Sequence, residues 1–310
     1  MNNIDICVRL IVVGLLALVL NGCGLIEKNK DSAFRTALIT ADKKSHSISS
    51  AYSLLEASVQ DVKSSDGFDN IIIFVHGRGK HPEKAFKKSL LADLESNYSA
   101  KVIMFNWGPS WKGPLGYPED AAGAAAEDFK KVLRDFSQYK KQNGIEIDGI
   151  KMTLLTHSMG SIVIEKGFES KTLLPQVFDT IVISSSASAG KTHSKWVENI
   201  DVAKNIYITV NKADPILGKA GTKERDRRLG KGLENRKGDL FVLASNAHYI
   251  DVSEVDVKHR YYLHRDLRNG KSKFLRRLFD KVLNGIQAEL NLENGVKEAS
   301  RERIYTIKSS

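Results

Sequence analysis

From Asn70 onward, six short apolar runs punctuate the chain: Ile71–Val75, Lys101–Phe105, Met152–Leu155, Thr180–Ser184, Ile206–Val210 and Leu240–Leu243. They are largely continuous rather than alternating, which predicts strands buried on both faces. Longer stretches with helical spacing lie between or after them, at Glu119–Lys140, Gly160–Ser170 and Lys273–Asn284. Strand–helix alternation of this kind predicts an α/β fold, a mostly parallel sheet with helices on both faces. Residues 23–69 are polar and rich in Ser and Lys, with a weak helical pattern around Ala51–Val62. They are expected to form a tether and one or two peripheral helices. The main domain is expected over 70–285, followed by a charged tail, 286–310, read as a loose helix. The chain has no internal repeat.

The N-terminal run Leu10–Leu20 follows Arg9 and holds eleven apolar or small residues. A helix needs about 20 to cross a hydrocarbon core, whereas a secretory h-region needs about 7–15. The next residues, Leu20-Asn21-Gly22-Cys23, resemble the lipobox of bacterial lipoproteins. That resemblance implies a signal peptide over 1–22, cleavage before Cys23 and a lipid on its thiol. Gly24, in place of Asp, implies sorting to the outer membrane, with the domain facing the periplasm. The alternative is an ordinary signal peptide or anchor with an unrelated cysteine. Cys7 and Cys23 are the two cysteines of the chain, too few for a disulfide scaffold or a Cys-rich zinc site.

With 310 residues, 42% hydrophobic and 27% charged, the chain has ample material for a packed core and is not of a disordered class. Its net charge of +10 is concentrated locally. Lys219–Lys237 carries eight basic residues against three acidic, and Lys258–Arg277 carries eight against one. Such a face suits an anionic lipid or substrate; the alternative is a solvated surface with no partner. No basic-aromatic module of a nucleic-acid binder is present, and His259 and His264, five residues apart, do not share one helical face as metal ligands would.

The chemistry gathers at strand ends. Met152–Leu155 leads into Thr156-His157-Ser158-Met159-Gly160, and a helical pattern starts at once. This is the context of a nucleophile elbow, in which a tight strand-to-helix turn lifts a serine hydroxyl above the sheet. A serine that merely caps a helix is the plain alternative. His76-Gly77-Arg78-Gly79 directly follows Ile71–Val75. The N–H groups of Arg78 and Met159 are candidate donors to a developing oxyanion. Reading Gly77–Lys80 as a phosphate loop fails on spacing and on the missing Ser/Thr. Asp214 follows Ile206–Val210 and is a candidate orienting acid, or simply an Asp-Pro turn residue. His248, His259 and His264 come later. The order Ser, Asp, His is that of α/β-hydrolases.

These segments, with Asn106-Trp107-Gly108-Pro109-Ser110, Tyr117, Asp120, Arg228-Leu229-Gly230 and His259-Arg260-Tyr261-Tyr262, resemble a family of α/β-hydrolases of unassigned function. That family has an HG turn, a Trp-Pro-Ser segment, an HSMG elbow and a late H-x-Y-F motif. The match covers about residues 70 to 280, and departs from the pattern at Gly108 and Thr156. The resemblance implies a serine hydrolase with Ser158 as nucleophile, His259 as base and Asp214 as its partner, with no cofactor or metal. An esterase or lipase-like acyl hydrolase acting on an ester or lipid-like substrate is the leading expectation. His264 competes with His259 as base. A catalytically inert hydrolase fold serving as a binding module is the alternative.

Overall fold

Asn70–Val75 is buried at every residue, because both faces of the strand are covered. Ile71, Ile73 and Val75 join one apolar cluster, and Ile72 and Phe74 join the other. That is the physical origin of its uninterrupted apolar run. A computed structural model of the chain describes residues 36–77, 90–108, 119–144, 147–219, 227–267, 270–298 and 303–309. Cys23 with its lipobox, Arg78, Pro109, Ser110 and Tyr117 lie outside the described residues.

In chain order the strands are β1 (Ala37–Thr40), β2 (Ser45–His46), β3 (Asn70–Val75), β4 (Ala100–Asn106), β5 (Lys151–His157), β6 (Phe178–Ser184), β7 (Ala203–Val210), β8 (His248–Asp251), β9 (Val296–Glu298) and β10 (Ile304–Ile307). The helices are α1 (Ala51–Ser64), α2 (Leu90–Tyr98), α3 (Glu119–Gln142), α4 (Gly160–Gly167), α5 (His193–Val197), α6 (Pro215–Lys219) and α7 (Lys273–Val282). The strands form one sheet in the order β2-β1-β4-β3-β5-β6-β7-β8-β10-β9. All neighbours from β4 to β10 are parallel. Both ends turn antiparallel, at β1 on β4 and at β9 on β10. The sheet order reverses at β3: β4 lies on one side of it and β5 on the other. At such a reversal the loops leaving two adjacent strand ends diverge and open a crevice.

Helix α3 illustrates how sequence sets the covering layer. Its buried residues Ala122, Ala125, Ala126, Phe129, Val132, Leu133 and Phe136 recur at three- and four-residue spacing, a stripe that matches one helical face. Glu119 and Asp120 open it, and Lys140 and Lys141 close it, each favourable to the helix dipole. With α1 and α4 it covers one face of the sheet. The other face is covered by α2 and α7.

Three expectations are corrected. Leu240–Leu243 is not a strand and makes only one isolated bridge, Leu240 to Glu234. Its Phe241 ring packs onto Gly190, where any Cβ would collide with the ring, and Val242 is 73% exposed. The neighbour of β7 is instead β8, whose ends are polar. The segment before residue 70 is not only tether and helix, since β1 buries Leu38 and Ile39 and pairs with β4. The tail after Gly285 is not a loose helix: β10 adds to the sheet parallel to β8, with Ile304 and Ile307 buried. The folded domain therefore extends past both expected limits, 70 and 285. Among the described residues no helix is long and apolar enough to cross a membrane.

Candidate active site

Ser158 follows β5 directly and has φ of +54°, in the left-handed region that a non-glycine residue seldom occupies. This conformation turns the chain from strand into α4 within three residues. The backbone is pinned on both sides. Its N–H donates to the Ser184 carbonyl (3.1 Å), and its carbonyl accepts from the N–H groups of Ser161 and Ala187 (3.1 Å each). The turn requires close approach. A Cβ at Gly160 would lie 2.7 Å from the His76 carbonyl oxygen, and one at Gly77 would lie 2.8 Å from the Ser158 Cβ. The two glycines thus let the β3 and β5 turns touch at the sheet reversal. Thr156, where a G-x-S-x-G elbow carries glycine, sits inside β5 and is fully buried.

His76 and Trp107 hold the first of these turns. The Trp107 indole N–H donates to the His76 carbonyl (2.8 Å), and the Trp107 backbone N–H points to His76 Nε2 (3.4 Å). On the other side of the ring, Nδ1 lies 2.6 Å from the Gly77 carbonyl oxygen. His76 Nε2 lies 2.9 Å from Asn106 Oδ1, so the ring ties the two loops together through both of its nitrogens. Gly108, directly after Trp107, has φ of +51°, a conformation that glycine adopts without penalty.

Burial pulls the His76 pKa down to about 4, against the hydrogen bonds to Gly77 and Asn106. An unfolded histidine takes its proton near pH 6.5. Between those values the unfolded chain binds more protons, so stability falls as pH drops through this window. At about 1.4 kcal/mol per pH unit the loss reaches about 3 kcal/mol at pH 4. Urea unfolding of wild type and His76→Gln at pH 6.5, 5 and 4 is expected to show a shallower pH slope in the variant, by about one proton. Equal slopes would refute the assignment.

Asp214 lies beyond the end of β7 and is completely buried. Its Oδ1 accepts from the N–H groups of Ile216 (2.9 Å) and Leu217 (3.1 Å), which caps α6. Its Oδ2 accepts from His259 Nδ1 at 2.7 Å. Burial alone would raise the carboxyl. The His259 hydrogen bond and charge, with the two backbone donors, outweigh it and hold the pKa below its ordinary value. The carboxylate is thus ionised, and it fixes the proton of His259 on Nδ1, leaving Nε2 as the basic nitrogen.

The elbow and the His259 loop are joined. The His259 carbonyl accepts from Ser185 Oγ (2.9 Å) and from His157 Nε2 (3.2 Å). The rings of His157 and His259 meet edge to face with centroids 4.6 Å apart. Burial first, and then the neighbouring charge of His259, pull the His157 pKa well below its ordinary value. His157 is therefore a neutral donor. His264 is drawn elsewhere: Nε2 bonds Asp280 Oδ1 of α7 at 2.7 Å, and its ring stands edge-on to Tyr98. His248 lies stacked on Tyr207. Of the three late histidines, the structure brings His259 to Asp214 and to the elbow. Met159 follows Ser158 at the head of α4; Arg78 is outside the described residues.

A buried hydroxyl cluster behind the elbow was missed from sequence. Ser161 Oγ donates to the Ser158 carbonyl (2.7 Å), and Ser186 Oγ (2.9 Å), Ser188 Oγ (3.0 Å) and the Ala187 N–H (3.1 Å) converge on it. The run Ser184-Ser185-Ser186-Ala187-Ser188 at the end of β6 was the available signal, since polar residues there need partners. Ser161→Ala is expected to cost about 1–3 kcal/mol of unfolding free energy, because buried donors lose their acceptor. Urea denaturation checks it; a change below about 0.5 kcal/mol would contradict the shared role.

Arg228-Leu229-Gly230 closes the same loop. Arg228 is buried and donates to the Ala187 carbonyl, and Gly230 fits against the Ser185–Ser186 backbone, where a Cβ would collide. Arg228 thus adds nothing to the expected basic face. Lys231 does lie at the site, donating through Nζ to the Asp214 carbonyl (2.9 Å). Among the described residues no three His, Cys, Asp or Glu side chains group as metal ligands.

A family model described as "Alpha/beta hydrolase of unknown function (DUF900)" matches residues 51–257, about two thirds of the chain. The chain is also similar to several solved structures. One is a Thermus thermophilus protein (15% identity, TM-score 0.34, 63% of this chain and 83% of that one). Another is a hyperthermophilic esterase from the archaeon Pyrobaculum calidifontis (11%, 0.37, 70% and 78%). A third is Thermogutta terrifontis esterase 2 (10%, 0.36, 72% and 86%). A comparison with curated proteins finds no match.

Proposed function

The chain belongs to the alpha/beta hydrolase family of unknown function (DUF900), and from that premise we propose that it is a serine acyl hydrolase. Ser158 Oγ attacks the carbonyl carbon of an ester while His259 Nε2 takes the hydroxyl proton. The ionised Asp214 holds the imidazole by Nδ1 and stabilises the imidazolium that forms. The N–H groups of Met159 and Arg78 bind the oxyanion. Collapse expels the alcohol, which leaves with the proton from Nε2, and an acyl-Ser158 ester remains. Water, deprotonated by the same nitrogen, then releases the acid and restores the serine. The steps need no metal or cofactor.

The observation that carries this reading is the pairing of a left-handed Ser158 between β5 and α4 with the His259–Asp214 hydrogen bond at the same sheet edge. The reading includes an address. Cys23 carries lipid, and the domain sits at the cell envelope, on the periplasmic side of the outer membrane, aided by its basic residues. One acyl signal plus a basic face is a sufficient pair for stable attachment.

Two measurements test the proposal. The purified protein is expected to react with a serine-directed fluorophosphonate and to hydrolyse members of a p-nitrophenyl ester panel of graded chain length; inertness in both assays would overturn the hydrolase reading. Mass spectrometry of the N-terminal peptide is expected to find a diacylglyceryl group on Cys23, and an intact Met1 terminus would overturn the address.

A further inference from the structure

A cleft of about 240 Å³ lies beneath α7, between that helix and the strands β9 and β10, and shares no residue with Ser158, His259 or Asp214. Its floor is apolar, built from Phe274, Leu278, Ala288, Val296 and Ile307. Gly295 shapes one wall. At φ of +73° it lets the Phe274 ring lie across the backbone where any Cβ would collide with it. The floor is therefore a built surface rather than a gap left by loose packing.

The rim carries charge, and its charges are not equivalent. Asp280 is engaged by His264 (2.7 Å) and Arg276 (3.9 Å), and Glu289 is engaged by Lys281 (3.3 Å). Arg277 also lines the cleft, yet among the described residues it forms no ion pair; its guanidinium lies 6.0 Å from the Phe274 ring centroid. Among the described residues the site thus offers one cation with no ion-pair partner at the mouth of an apolar floor. That combination is complementary to a molecule with a single negative head and a hydrocarbon body. A cavity of about 150 Å³ holds one benzene. A volume of 240 Å³ accordingly suits on the order of ten heavy atoms, which admits one short chain and not a two-chain lipid.

We infer that the α7 cleft, with its apolar floor and Arg277 at the rim, is a second binding site, for a single-chain amphiphile with a carboxylate head of the medium-chain fatty acid class. The inference does not depend on Ser158 or on hydrolysis. The carboxylate meets the Arg277 guanidinium, the arrangement in which a charged hydrogen bond is strongest, and the chain covers Leu278, Ala288 and Val296.

The test is calorimetric titration of the full chain with octanoate and, separately, with octan-1-ol. Wild type is expected to show one saturable octanoate site. Arg277→Ser, a change on the surface, should weaken octanoate about tenfold or more while moving octan-1-ol less than about twofold. Ala288→Phe, which fills the floor, should remove both; its unfolding midpoint is read in parallel. If Ala288→Phe fails to fold, the octanoate-to-octanol contrast in Arg277→Ser decides alone. Absence of saturable octanoate binding to wild type would overturn the inference. So would octanoate binding that Arg277→Ser leaves unchanged, which would assign the ligand to the crevice at Ser158 or to the general surface. Neither result bears on whether Ser158 is a nucleophile, so the two readings fail separately.

Discussion

Ser158→Ala is expected to abolish fluorophosphonate labelling and to lower ester turnover by about 10³-fold or more. The magnitude follows from the role: without the hydroxyl no acyl-enzyme forms, and only binding and oxyanion stabilisation remain to speed the attack of water. The fold should survive. Ser158 and alanine face the same left-handed strain at φ of +54°, and the contacts that hold the turn run through the Ser158 backbone and through Ser161. The unfolding midpoint should therefore stay within a few degrees of wild type. Turnover above a few per cent of the parent would remove Ser158 from its role. A wild-type protein that neither labels nor turns over would favour the inert, ligand-binding form of the fold.

Asp214→Asn and His259→Ala form the second pair, with His264→Ala as comparison. Asparagine keeps the shape of the capping group that receives the Ile216 and Leu217 N–H bonds at 2.9 and 3.1 Å. It cannot supply the charge, and its amide N–H can force the proton of His259 onto the wrong nitrogen. A loss of about 10⁴-fold in kcat is the scale for such a change. His259→Ala should match or exceed it. His264→Ala should leave kcat/KM within about threefold, because its partner is Asp280 at 2.7 Å on α7. It should lower stability modestly, by about 1 kcal/mol, through the loss of that bond and its packing on Tyr98. Side-by-side kcat/KM values and urea curves decide. A dead His264 variant beside an active His259 variant would reverse the assignment.

The sequence made the inner sheet readable for a physical reason. Strands covered on both faces must be apolar throughout, so β3, β4, β5, β6 and β7 were visible as continuous runs. The same rule misfired at Leu240–Leu243, where one residue of the run is buried for packing on Gly190 and its neighbour Val242 faces solvent. Strands β1 and β10 were not readable. Ala-Leu-Ile-Thr and Ile-Tyr-Thr-Ile are four residues each, and what makes them strands is a distant partner, β4 or β8. The elbow was legible because its constraints are local: a strand, a serine, a glycine and a helix in sequence. The histidine was not settled by local pattern. His259 and His264 each find a carboxylate, one 45 residues earlier and one 16 later, and only the fold separates those two pairings. Ser161, Ser186 and Ser188 looked like ordinary polar residues until their convergence was seen.

The two ends of the sheet carry a consequence for how this protein meets others. An open parallel sheet ends in a row of unpaired amides and carbonyls that can template another chain. Among the described residues the outermost strands are β2, two residues long, and β9, three residues long. Each is antiparallel to its inner neighbour. Strands so short offer an incoming strand only a few hydrogen bonds, one of the ways in which proteins blunt a sheet edge. Such short edges are poor templates for fibril-like growth or for recognition by strand addition. Along these described flanks a protein partner would meet mainly side chains rather than a free backbone edge.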